Sequence, residues 1–348
     1  MKKKIVLTGG GTAGHITPHL ALFPYLKKDF DCYYIGSKNG MEKSMIEPFM
    51  PFYEITTTKL KRKLSLSNLF IPFKLLKGIC EAKKLLKKIK PNIIFSKGGF
   101  VAVPVVIAAH SLKIPVITHE SDYTLGLANK LIKNKCKYIC TSFEITAKGL
   151  KNGIFTGSPI RKEIFCGNKS KIYEKYDFDS TKKNILFVGG SLGSQTVNNV
   201  VFQSLDMLLE KYNILHIVGK GNLNNNIKKN NYVQLEFLSH IENAFDFADV
   251  VITRGGANAL FELLALKKPM LIIPLGLKES RGDQILNADY FESQGFANVL
   301  KEEDLTPKSL QEQIETTFNC SNEYKKNMAS SNTNGTKKIV DLIKKNAE

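Results

Sequence analysis

Apolar residues in this chain come in short runs, each opening into a glycine turn or a mixed stretch. Lys4–Thr8 is the first such run, and it leads into GGGTAGHITPHLAL, where Gly9–Gly14 make a turn and Pro18–Leu26 start a helix. Cys32–Ile35, Asn92–Ser96, Pro115–Thr118, Tyr138–Thr141 and Ile154–Thr156 repeat the run through the first half. Between them lie helix-compatible stretches such as KGGFVAVPVVIAAHSL. Short strands alternating with helices predict a parallel sheet covered on both faces.

A polar, lysine-rich stretch, Lys162–Lys183, interrupts this series. Asn184–Val188 then runs into GGSLGSQTVNNVV, the opening unit in altered form. Leu215–Val218, Val233–Phe237, Val250–Thr253 and Met270–Ile273 continue the second series. The expectation is an α/β protein with two Rossmann-like parallel-sheet domains facing a cleft. Residues 1–162 form the first domain and 163–330 the second. Residues 331–348 read as a C-terminal helix whose Ile339, Leu342 and Ile343 pack back on the first. Ligands of such sheets bind beyond the carboxyl ends of the strands.

The stretch 253–288 carries the strongest local chemistry. Gly255 and Gly256 open a helix bearing Glu262, and amides at such a turn form an anion site. A carboxylate about one turn inside that helix suits a ribose diol. Pro274 ends the next strand, and a polar loop, Lys278–Gln284, leads into the following helix.

Composition narrows the class. With 348 residues, each of two domains can bury its own core. No apolar run reaches the ~18–20 residues of a membrane span. Ile5–Leu7 is too short a core for a signal peptide, so a cytoplasmic location is expected. Cys136 and Cys140 are the only close cysteine pair, and no second pair completes a zinc set; reduced thiols and no protein-ligated metal are expected.

The net charge of +18 points to nucleic acid, an anionic membrane surface, phosphorylated substrates or simple lysine enrichment. Its distribution matters. Residues 59–90 carry eleven Lys/Arg against one acid, Glu81, and enclose the apolar Leu69, Phe70, Ile71 and Phe73. These suit insertion into a lipid interface among lysines that meet anionic head groups. A helical stripe of Leu75, Ile79, Ala82, Leu86 and Ile89 follows, with Pro72 in its first turn.

Seven segments in register resemble the MurG family of glycosyltransferases: GGGTAGHITP, SKGGFVAVP, HESDYTLGLANK, TGSPIR, GGSLGS, TRGGANALFE and SRGDQILNA. The resemblance implies a GT-B fold and inverting transfer of N-acetylglucosamine (GlcNAc) from UDP-GlcNAc to lipid I, giving lipid II. It implies a first domain for the acceptor and membrane, a second for UDP-GlcNAc, and a peripheral place on the cytoplasmic face of the bacterial membrane. Neither a cofactor nor a nucleic-acid partner is implied, beyond a Mg²⁺ loosely associated with the diphosphate.

The resemblance also assigns roles. Thr12, Ala13 and Gly14 face the donor sugar and diphosphate. His15, with an ordinary pKa near ~6.5, is the leading base candidate, a sugar or phosphate contact being its rival role. Glu120 is the alternative base. Arg161 clamps phosphate or nucleotide, Ser191 holds the UDP phosphates, Leu238 meets uracil, and Glu262 takes the ribose. Gln284, with Asp283 beside it, bonds the GlcNAc hydroxyls. Some relatives have RSGA where this chain has Arg254-Gly255-Gly256-Ala257, a change expected to remove one hydroxyl near the nucleotide.

Three rivals are weighed. A diacylglycerol glycosyltransferase shares the turns and the basic patch, and a UDP-sugar epimerase would act without an acceptor. A nucleic-acid-binding protein would use the charge alone, but no known RNA-binding motif accompanies it.

Overall fold

Strand β1 (Lys3–Thr8) shows why the first sheet forms. Ile5 to Thr8 are all buried, and alternate side chains serve opposite faces: Ile5 and Leu7 join one core, Val6 the other. The computed structural model describes residues 2–58, 71–190, 193–277, 282–331 and 333–347. The chain divides into two units, Met1–Arg161 with Asn334–Glu348, and Lys162–Thr333.

In the first unit β1 is followed by α1 (Thr17–Leu26), β2 (Phe30–Ser37), α2 (Glu42–Ile46), β3 (Phe52–Ile55), α3 (Ile71–Ile89) and β4 (Ile93–Ser96). Then come α4 (Ala102–Ser111), β5 (Val116–Glu120), α5 (Leu127–Ile132), β6 (Tyr138–Thr141), α6 (Glu144–Lys148) and β7 (Gly153–Phe155). The sheet is parallel, in the order β3-β2-β1-β4-β5-β6-β7. Its strand order reverses between β1 and β4, so the loops after these two strands adjoin. Such a switch point is where open α/β sheets bind ligands.

Strand β3 escapes the hydrophobic pattern because it is a short edge strand with three of its four residues half-buried. The stripe on α3 behaves as its periodicity predicts: Ala82, Leu86 and Ile89 are buried, and Leu75 and Ile79 pack at the margin. The C-terminal helix, Thr336–Lys345, belongs to this unit. Thr336 Oγ1 accepts the Ile160 N–H at 2.9 Å, and Ile339, Val340 and Ile343 are buried in the core beside Leu22 and Leu26.

The second unit runs α7 (Ser170–Lys175), β8 (Lys183–Val188), α8 (Gln195–Leu209), β9 (Tyr212–Ile217), β10 (Tyr232–Leu235), α9 (Ile241–Phe247) and β11 (Val250–Thr253). It continues with α10 (Ala257–Ala265), β12 (Met270–Ile272), α11 (Asp283–Ser293), β13 (Asn298–Val299), α12 (Pro307–Asn319) and α13 (Ser321–Ala329). This sheet is also parallel, ordered β10-β9-β8-β11-β12-β13, with its reversal between β8 and β11.

The lysine-rich stretch 162–183 is part of this unit, not a free connector. Ile172 on α7 is buried, Tyr173 packs edge-on against Phe247, and the Tyr173 hydroxyl accepts from Asn184 Nδ2 at 2.9 Å. One buried face per short helix was too little for composition to register.

Candidate active site

In the first unit two glycine turns meet at the switch point. The turn after β1 leads through Thr12, in extended conformation, into a single 3₁₀ turn, Ala13–His15. The His15 N–H donates to the Thr12 carbonyl at 3.0 Å, and Thr12 Oγ1 lies 2.8 Å from His15 Nδ1. The second turn is Gly98–Gly99, both at positive φ. A Cβ on Gly99 would stand 2.6 Å from the Gly10 carbonyl and 3.5 Å from the His15 ring. Only glycine lets these turns touch. Thr12 is exposed while Ala13, Gly14 and His15 are half-buried, so this edge is open to a ligand.

Glu120 is placed differently. Its carboxylate is buried and accepts from the Gly126 N–H at 2.8 Å, Asn129 Nδ2 at 2.9 Å and the Asp122 N–H at 3.2 Å. Burial, and then the charge of Asp122, push its carboxyl above the usual range. Three donors hold it within its own loop. Glu120 is thus engaged by its own donors, whereas His15 stands on the more open turn after β1.

Beneath these turns lie buried groups, of which Lys97 had no signal in the sequence. Lys97 is 3% exposed and donates to Ser121 Oγ at 2.5 Å. His19 sits between Tyr34 and Phe95, and neither ring nitrogen has a partner among the described residues. Burial, reinforced by the Lys97 charge, brings the His19 imidazole down to about 3. The same causes hold His119 well below its ordinary value, with its Nε2 at 3.0 Å from the Gly157 carbonyl. His19 and His119 are therefore neutral packing groups.

The second unit repeats the arrangement. After β8, Gly190 and Gly193 both take positive φ, and a Cβ on Gly193 would lie 1.8 Å from the Val218 carbonyl. Ser194 then caps α8, accepting the Val197 N–H at 3.4 Å. Ser191 lies outside the described residues. After β11, Arg254 Nη1 donates to Glu302 at 2.8 Å, and its Nη2 is buried without a partner among the described residues. The other Glu302 oxygen accepts the Gly276 N–H at 3.0 Å. Glu302 thus pins the turn after β11 to the loop after β12.

Gln284 does the same from α11. Its side-chain oxygen accepts the Leu275 N–H at 3.0 Å and the Gly255 N–H at 3.2 Å. Two donors aimed at one atom identify it as the oxygen, and the other end of the amide as its NH₂. Asp283 stands beside it as the first residue of α11, after Gly282 at φ 84°. Glu262 is half-buried on α10, five residues past the helix start.

A Cβ at position 255 would lie 2.4 Å from the Gln284 carbonyl, so α11 closes directly over this glycine. Leu238 is half-buried after β10, beside Phe237, which is 73% exposed. Arg161 is half-buried and is the last residue of the first unit before the chain crosses over.

Comparison with known proteins agrees with this layout. The glycosyltransferase family 28 N-terminal domain matches residues 5–141, and the family 28 C-terminal domain matches residues 184–343. The UDP-N-acetylglucosamine--N-acetylmuramyl-(pentapeptide) pyrophosphoryl-undecaprenol N-acetylglucosamine transferase of Clostridium tetani is 49% identical, covering 99% of this chain and 98% of its own. The chain belongs to the MurG family. The Clostridium botulinum (strain Alaska E43) relative of the same description is 51% identical, over 98% of this chain and 96% of its own. Among solved structures, Acinetobacter baumannii MurG superposes with a TM-score of 0.77 at 26% identity, covering 99% of each chain. Membership in the MurG family makes the chain a glycosyltransferase with the GT-B pair of parallel-sheet domains.

Of the expected membrane residues, Leu69 and Phe70 lie outside the described residues. Ile71 is half-buried and Phe73 is 71% exposed, both in the first turn of α3. Leu76, one turn further and 60% exposed, extends this apolar face and was not anticipated from the stripe. No helix among the described residues is long and apolar enough to cross a membrane.

Proposed function

We infer that this protein transfers GlcNAc from UDP-GlcNAc to the MurNAc 4-hydroxyl of lipid I, giving lipid II and UDP. The hydroxyl oxygen attacks the anomeric carbon, the bond to UDP breaks, and the hydroxyl proton passes to a base. The observation that carries the division of labour is the glycine turn at each sheet's switch point. One bears His15, and the other is braced by Gln284 and stands at the head of the helix carrying Glu262.

On this reading the His15 imidazole takes the proton, and Thr12 fixes the ring through Nδ1. When Nδ1 carries a hydrogen and donates to Thr12, Nε2 is the basic nitrogen. Thr12, Ala13 and Gly14 turn backbone donors toward the sugar and diphosphate. The Gly190–Ser194 turn, with Ser191, and the start of α8 meet the phosphates. Leu238 covers the uracil, Arg161 meets the nucleotide, Glu262 accepts the ribose hydroxyls, and Gln284 donates its NH₂ to GlcNAc with Asp283 alongside. Any Mg²⁺ would travel with the diphosphate and not on protein ligands.

The lysines around α3, with Phe73 and Leu76, support peripheral attachment to the anionic cytoplasmic leaflet, where lipid I would be met. Transfer of radiolabelled GlcNAc to a soluble lipid I analogue, to diacylglycerol and to no acceptor tests the reading. Labelled product with lipid I alone is expected. Product with diacylglycerol alone, or free sugar without acceptor, would replace it.

A further inference from the structure

Lys97 ties together the carboxyl ends of three adjacent strands. Its N–H donates to the Thr8 carbonyl at the end of β1 (2.9 Å), and it directly follows β4. Its Nζ donates to Ser121 Oγ just past β5, at 2.5 Å. A Cβ on Gly9 would lie 3.3 Å from Lys97 Cβ and 2.8 Å from the His15 carbonyl, so the lysine stem packs where the His15 turn begins. Gly99, two residues on, forms the wall against the His15 ring. A buried ammonium is costly unless charges compensate it. Here the compensating carboxylates are Glu120, the last residue of β5, and Asp122, on either side of Ser121.

We propose that Lys97 is a positioning residue for the transfer reaction: its protonated side chain holds the loop after β5 to the turn after β4, whose backbone joins β1, and thereby sets the place of His15. The proposal rests on the transfer reading above. Loss of the Lys97 proton removes the counter-charge of Glu120 and one donor to Ser121, loosening the brace from beneath.

Burial brings the Lys97 ammonium down to about 8, against the opposing pull of Glu120, Asp122 and Cys140. The other titratable groups around it are His119 on β5 and His19 on α1, both held neutral, with His15 beyond His19. A protonation change at mildly alkaline pH is therefore Lys97's own.

Steady-state transfer to a lipid I analogue, measured from pH 6.5 to 9.5 with Lys97→Met and Ser121→Ala, tests this. Wild type should lose kcat on an alkaline limb with its midpoint at about 8. Lys97→Met should lower kcat ~10–100-fold, the scale of a small misplacement of a reacting group. It should lack that limb and keep its KM for UDP-GlcNAc within ~2-fold. Ser121→Ala retains the charge but removes its acceptor, so its limb should move to lower pH. Where Lys97→Met gives no cooperative unfolding transition, Ser121→Ala decides alone. An unmoved limb in Ser121→Ala, or a wild-type kcat or retained limb in a folded Lys97→Met, overturns the proposal. Absence of transfer by the wild type would instead overturn the functional reading beneath it.

Discussion

Thr12 Oγ1 lies 2.8 Å from His15 Nδ1, so the imidazole is held at one nitrogen by a residue three positions earlier. This fixes the ring on a short 3₁₀ turn just before α1. His15→Ala should lower kcat ~10²–10⁴-fold, the usual scale of general-base loss, with little change in UDP-GlcNAc affinity. Thr12→Val should cost less, because the base survives without its guide. Equal losses in the two variants, or near-normal turnover in His15→Ala, would remove His15 from the base role.

The Gln284 oxygen is used by Gly255 and Leu275, and its NH₂ is the end that the proposed function assigns to GlcNAc. Gln284→Glu keeps an acceptor for both backbone donors while deleting the NH₂. The expected result is a near-native Tm with UDP-GlcNAc affinity reduced ~10-fold or more. Glu262→Ala should likewise weaken UDP-GlcNAc and UDP binding together, as a ribose contact requires. Calorimetric titration checks both, and unchanged affinity in either variant removes that residue from the donor site.

Three buried histidines give stability a defined pH dependence. Burial lowers His19 and His216 to about 3 and His119 well below its ordinary value. The unfolded chain, at ~6.5, therefore binds more protons below that pH, and stability falls as pH falls. At pH 5 each such histidine costs about 2 kcal/mol of unfolding free energy. Glu120 opposes this, because its raised folded-state pKa favours the native state on acidification. Three terms against one still predict a marked fall in Tm between pH 7 and pH 5 by differential scanning calorimetry. A flat profile would contradict the burial of these rings.

Phe73 and Leu76 project from the lysine-rich α3. Phe73→Asp with Leu76→Asp should reduce sedimentation with vesicles containing anionic lipid, while transfer to a soluble acceptor stays near wild type. Binding to vesicles at the wild-type level would place the membrane contact elsewhere.

Much of this layout was legible in the pattern of runs and glycine turns. A buried parallel strand is a dense apolar run, and a turn at the switch point needs glycines, so Lys4–Thr8 with Gly9–Gly14 and Asn184–Val188 with GGSLGS declare themselves. The edge strands β3 and β13 and the five- and six-residue helices did not, since two buried positions at most leave no period to read. Lys97 was missed because a lysine beside glycines reads as solvated; its burial follows from three strand ends closing over it. Glu302, nearly fifty residues past Arg254, had no local signal at all. The close approach of α11 to Gly255 had no local signal either, because Gln284 lies about thirty residues downstream.

The most direct measurement is the structure of the disaccharide that the wild-type enzyme makes from UDP-GlcNAc and a lipid I analogue, read by NMR after release from the carrier. Attack by the MurNAc 4-hydroxyl opposite the departing UDP predicts a single β-linked GlcNAc on oxygen 4. An α-linkage, attachment at another hydroxyl, or free GlcNAc would contradict the account.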